Sequence, residues 1–109
     1  MLTTGNIWQG IPSYPLPDEM IQVLHQKEQI KIEKIVSSGQ SSPPGFWYDQ
    51  PQNEWVIMLS GAASIRLQKP DKLISLLPGD FLFIPAHHLH RVENTSHEEN
   101  TVWLAFFYS

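Results

Sequence analysis

The chain has 109 residues, of which 41% are hydrophobic and 11% aromatic, a balance that gives one globular domain with a modest core. Eleven acidic residues against seven scattered basic ones leave a net charge of -4, which excludes the basic stripe of a nucleic-acid surface. There is no cysteine for a disulfide or thiolate metal site, and no apolar run approaches the ~20 residues of a membrane helix. The first residues lack a basic region followed by an apolar block, so no signal peptide is expected and a soluble cytoplasmic protein is the default.

Residues 1–17 are punctuated by Gly5, Gly10, Pro12, Pro15 and Pro17 and read as an irregular lead-in. Asp18 can cap a helix reaching about His25, because Met20, Ile21 and Leu24 recur at helical spacing. Residues 1–28 are thus expected to be an arm with one short helix, and residues 29–109 a β-domain. Residues 29–36 alternate as a half-buried strand, with Ile30 and Ile32 set against Lys31 and Glu33. Residues 37–44 (SSGQSSPP) form a polar connection or a lid.

Short strands then follow at 54–59, 62–67, 73–77, 81–84, 90–93 and 101–108, separated by turn signals such as Ser60-Gly61 and Lys69-Pro70. Six or more strands spaced this way predict an antiparallel sandwich or barrel. Residues 78–94, PGDFLFIPAHHLHRVEN, join a turn, a buried strand, a proline corner and three histidines within four residues. His87, His88 and His90 are candidate metal ligands, since neutral imidazole suits transition metals. A solvent-exposed corner is the competing reading. His25 and His97 lie in polar surroundings and read as surface, and Asp80 reads as a turn residue.

Gly79, Pro85, His90 and Asn94 stand at the spacings of the second cupin motif, with His87 where that pattern has its second glycine. Glu54, six residues, then Gly61 resembles the tail of the first cupin motif. The chain from about residue 30 to 108 therefore resembles small single-domain cupins. The resemblance implies a double-stranded β-helix, or jelly-roll barrel, with a ligand site at its mouth. It also implies a divalent metal, normally held by two histidines and a glutamate of motif one and a histidine of motif two. Motif one has no histidine here. Its ligand slots fall on Trp47 and Asp49, or on Tyr48 and Gln50 with the shorter spacing. The shell expected from the resemblance is Asp49, Glu54, His87 and His90, suited to iron, manganese, nickel or zinc. By strand parity His88 is the alternative to His87, and Asp49 lies an odd number of residues from Glu54, with Pro51 breaking the strand between them.

Glu54, Val56 and Met58 share a strand face, so Met58 is expected to line the interior beneath the acid. Trp47 and Tyr48 are candidate pocket-rim aromatics that stack on a planar or sugar-like ligand, or plug one end of the barrel; Tyr48 is also a candidate acid or base. Trp55, Ile57 and Leu59 face the other way, and with Trp103 and Phe107 they form a candidate outer apolar surface for a homodimer. Two readings of function remain: a metal-dependent oxygenase or isomerase of a small polar molecule, and a barrel that binds or senses a small ligand.

Overall fold

A computed structural model describes residues 2–109. Among these the alternating segments form eight strands and no helix. The first hairpin is β1 (Met20–Lys27) with β2 (Ile30–Ser37), and β3 (Asn53–Ser60), β4 (Ala63–Leu67) and β5 (Lys72–Leu76) follow. The last three strands are β6 (Phe81–Ile84), β7 (His90–Thr95) and β8 (Thr101–Tyr108). They pack as two antiparallel sheets, one ordered β1-β2-β8-β3-β6 and the other β5-β4-β7. The expected jelly-roll layers are present, but no strand ladder joins one sheet to the other, so the barrel is not closed. No helix among the described residues is long and apolar enough to cross a membrane.

The helix expected from Asp18 to His25 is a correction: the segment is an edge strand. Glu28 turns the chain at φ 53°, and Lys27 then pairs with Ile30, Ile21 with Ile35 and Met20 with Val36. Met20, Ile21 and Leu24 match a helical period, but Ile21 and Val23 also alternate, and the free edge of β2 decides between the two patterns.

The core between the sheets consists of Val56, Met58, Ala63, Ile65, Leu76, Trp103, Ala105 and Phe107. Trp103 and Phe107 therefore point inward, a second correction to the outer-face expectation. Strand alternation explains it, because β8 pairs Phe107 with the inward Glu54 and Trp103 with the inward Met58. The outer face instead carries Trp55, stacked on Phe81 at 5.3 Å and edge-on to Phe106 at 5.7 Å. Phe81 and Phe83 remain exposed on the edge strand β6.

The N-terminal segment covers part of this outer face. Leu16 packs with Val36 and Val102, and Ile11, Met20 and Leu59 border the cluster. The fully buried Lys34 extends its ammonium to the carbonyls of Ile7 (3.1 Å) and Gln9 (2.8 Å), anchoring the arm to β2. The expected connection after β2 runs along the outer edge of β7, where Ser42 exchanges backbone and side-chain bonds with Val92 and the Gln40 carbonyl accepts from the Thr95 hydroxyl.

Gly61 turns β3 into β4 at φ 85°, and a Cβ there would lie 2.6 Å from the Thr101 Cα. The left-handed backbone and the backbone overlap act together, so Gly61→Ala is expected to cost about 3 kcal/mol in urea unfolding. A loss below about 1 kcal/mol would show that the turn relaxes freely.

Candidate functional site

Between the two sheets, on the β1–β2 side, lies a cleft of about 280 Å³. Its floor is apolar, built from Val56, Ile65, Trp103 and Phe107, and its polar wall holds Tyr48, Gln50, Glu54 and His90. β3 supplies Glu54 and β7 supplies His90, whose backbones belong to different sheets.

Residues 48–50 connect them. Tyr48 and His90 exchange backbone hydrogen bonds in an isolated bridge (2.7 and 3.3 Å), and the His87 N–H donates to the Gln50 carbonyl at 2.7 Å. This extension of β7 sets the Tyr48 ring against the His90 imidazole, with centroids 5.3 Å apart and planes 23° from parallel. It also aims the Gln50 amide inward, where Nε2 lies 3.0 Å from Glu54 Oε1 and 3.3 Å from His90 Nε2. Glu54 Oε1 and His90 Nε2 are 3.6 Å apart, with side chains only 12% and 6% exposed.

The protons follow from the partners. His90 Nδ1 lies 2.9 Å from the His88 carbonyl, which only accepts, so the neutral ring carries its proton on Nδ1 and leaves Nε2 as an acceptor. The two N–H bonds of the Gln50 amide are then directed to the two acceptors, the Glu54 carboxylate and His90 Nε2. Burial, and then the charges of Glu19 and Glu54, raise the Tyr48 phenol above the ordinary tyrosine range.

Of the expected metal shell, the structure brings Glu54 and His90 together and places Asp49 and His87 elsewhere. Asp49 Oδ1 pairs with His87 Nδ1 at 2.8 Å, with side chains 56% and 67% exposed. Asp49 alternates with Gln50 along the chain, so the bridge that aims Gln50 inward turns Asp49 outward. His87 adopts φ 62°, which accounts for the glycine usual at its position and makes the corner that carries it away from the cleft. His88 Nε2 lies 2.8 Å from the Gln68 carbonyl, so neither neighbour of the corner joins His90. Met58 is fully buried in the core below the cleft, and Trp47 borders a separate surface depression with Arg66 and Lys69. Tyr48 and Gln50 thus occupy the two imidazole slots of the shorter motif spacing. Asp80 is a turn residue as expected, its carboxylate accepting from the Leu77 N–H at 2.9 Å.

The donor set does not fit a divalent transition metal. Around Gln50 the cleft brings together one carboxylate, one imidazole and an amide, while Glu19 and Glu33 are engaged by Ser37 and Lys31, and no group of three or more histidines and carboxylates among the described residues could hold an ion. Transition-metal sites ordinarily use three or four strong nitrogen, sulfur or carboxylate donors. The residue signal for this was present in the sequence as Gln50 at a motif-one slot. Lys31, Glu33 and Glu19, which line the other side of the cleft, carried no motif and became visible only with the β1–β2 hairpin in place.

Two measurements check this geometry. In spectrophotometric titration the Tyr48 phenolate is expected to form at higher pH than an ordinary tyrosine, and this late component should vanish in Tyr48→Phe. Since the fold holds that proton longer than the unfolded chain, the contribution to stability is lost as pH rises beyond about 10. Elemental analysis of untagged protein is expected to give iron, manganese, nickel and zinc well below one equivalent, and Gln50→His to raise the bound metal. Equimolar metal in the wild type that disappears in His90→Ala would show that the donor count is wrong.

The Cupin domain family profile matches residues 34–107. The structure is similar to a crystal structure named as a "putative mannose-6-phosphate isomerase" from Ralstonia eutropha JMP134, at 45% identity over 99% of both chains and a TM-score of 0.94. A cupin superfamily protein from Desulfitobacterium hafniense DCB-2 shares the fold at 20% identity, covering 89% of this chain and 83% of its own, with a TM-score of 0.73. Comparison with functionally curated proteins gives no match. The profile match over residues 34–107 and the 45% identity across the relative's length, on a scaffold of two stacked sheets that pairs Glu54 with His90, identify the chain as a member of the cupin family.

Proposed function

We propose that the cleft binds a small polyhydroxy carbonyl compound and isomerises it by proton transfer, without a resident metal. The observation that carries this reading is the convergence of Glu54, Gln50 and His90 at 3.0, 3.3 and 3.6 Å beside the Tyr48 ring. Glu54, His90 and Tyr48, each able to accept or donate a proton, then face a cavity of about 280 Å³, just below the ~300–1,000 Å³ typical of ligand pockets.

In this reading the Glu54 carboxylate removes the proton from the carbon that bears a hydroxyl next to the carbonyl. The resulting enediol is reprotonated on the neighbouring carbon by the same carboxyl group. His90 Nε2, its lone pair freed as the Gln50 N–H turns to the substrate, takes the hydroxyl proton and returns it to the former carbonyl oxygen, and the Tyr48 hydroxyl donates a hydrogen bond to the oxygen that gains charge. No electron leaves or enters the pair of carbons, so no oxidant or reductant is required. Gln50 holds the carboxylate and the imidazole at a fixed separation, acting as a positioning residue. The isomerase name of the relative at 45% identity supports this class of reaction.

The second reading, a binding or sensing barrel, is favoured by the apolar floor of Val56, Ile65, Trp103 and Phe107, which offers a hydrophobic seat and no chemistry. Solvent exchange separates the two. Incubation with aldoses and ketoses in deuterium oxide is expected to place deuterium on the carbon next to the carbonyl, followed by proton NMR. Glu54→Gln is expected to slow this exchange by about a thousandfold. Saturable binding with no exchange above background in the wild type would leave the binding barrel as the function.

A further inference from the structure

We infer that the cleft selects an uncharged polyhydroxy compound and rejects its phosphate ester, a restriction that rests on the ligand class proposed above. The inference comes from which charges face the cleft and how each is held. Three carboxylates line it, Glu19, Glu33 and Glu54, against one ammonium, Lys31.

Lys31 is not free to receive an anion. Its Nζ lies 3.3 Å from Glu33 Oε2 and 5.2 Å from the centre of the Phe107 ring, so both its charge and its position are already used. Glu19 is fixed as well: the Trp103 indole N–H donates to Ser37 Oγ at 3.2 Å, and the Ser37 hydroxyl donates to Glu19 Oε2 at 2.7 Å. This chain runs from the core to the carboxylate and holds it at the cleft rim. Glu54 receives the Gln50 amide.

None of the other lysines and arginines lines the cleft. Lys34 follows Glu33 on β2, and its ammonium is bound by the Ile7 and Gln9 carbonyls on the opposite face. Arg66 and Arg91 pair in register on β4 and β7, where Ile65 and Val92 are the inward residues. Their guanidinium groups are held by Asp71 and Glu93 on the outer face. The fold has no helix among the described residues, so no helix N-terminus supplies a phosphate cradle.

A phosphate ester carries about -1.5 to -2 charges at neutral pH. In the cleft it would meet a surplus of carboxylates with no unpaired cation, and at distances of several ångströms each such pairing is repulsive. Hydroxyl groups meet no such penalty. The Glu54 carboxylate, the Gln50 side-chain carbonyl and the Tyr48 hydroxyl offer acceptors and a donor to them, above the apolar floor of Val56, Ile65 and Trp103.

The test follows the Trp103 indole N–H by NMR while three probes are added: a hexose, the same hexose as its 6-phosphate, and inorganic phosphate. The hexose is expected to shift the resonance saturably, the ester to bind at least about tenfold more weakly, and inorganic phosphate to leave it unmoved. Glu33→Gln, which releases Lys31, is expected to narrow the difference between hexose and ester, and Glu19→Gln gives the same readout by removing a rim charge. An ester that binds as tightly as the hexose, or inorganic phosphate that shifts Trp103 saturably, would overturn the charge selection. If neither sugar binds, the polyhydroxy reading falls, while the inorganic phosphate arm still decides whether the cleft accepts an anion.

Discussion

One side-chain amide, that of Gln50, joins the two halves of the site. It donates to a carboxylate rooted in the five-stranded sheet and to an imidazole rooted in the three-stranded one. Both acceptors are nearly removed from water, where an unmatched acceptor or a solitary charge is costly. The amide satisfies both at once, with one hydrogen for each. The orientation of His90 depends on the same network, because its other nitrogen is committed to the His88 carbonyl. Replacing this amide by an imidazole would remake the chemistry of the cleft without altering its walls.

The rest of the fold serves that meeting point. The Gly61 turn returns the chain from one sheet to the other, and the close approach of Thr101 leaves space for no side chain there. The bridge between Tyr48 and His90 lengthens the three-stranded sheet by one partial strand and carries Gln50 inward. Because that sheet has only three strands, the inner faces of β1 and β2 stay uncovered and become the charged side of the cleft. The N-terminal segment closes the other side of the large sheet, drawn in by the buried ammonium of Lys34. An open sandwich, rather than a closed barrel, is thus what gives the site access to solvent.

Membership of the cupin family establishes the scaffold and leaves the reaction to the residues grafted on it. In this chain two imidazole positions of the family pattern are filled by Tyr48 and Gln50. The first contributes an aromatic face and a hydroxyl, and the second an amide that bridges instead of coordinating. The surplus of carboxylates in the cleft comes from Glu19 and Glu33, which belong to no motif.

The sequence by itself determined the strands from β2 onward, the turns at Gly61 and Gly79, and the inward pairing of Glu54 with His90. Each of these rests on local periodicity or on motif spacing, which the chain carries in consecutive residues. It also contained the shorter spacing that names Tyr48 and Gln50, though nothing local ranked it above the spacing that names Trp47 and Asp49. Only the tertiary structure decided that the segment after Asp18 is a strand, since the free edge of β2 outweighs a short helical pattern. Only the fold separated Asp49 and His87 from the site, because a bridge pairing and a left-handed corner set their directions. Trp103 and Phe107 were likewise assigned to the interior by their register against β3, a relation between residues some 50 positions apart that no local pattern encodes.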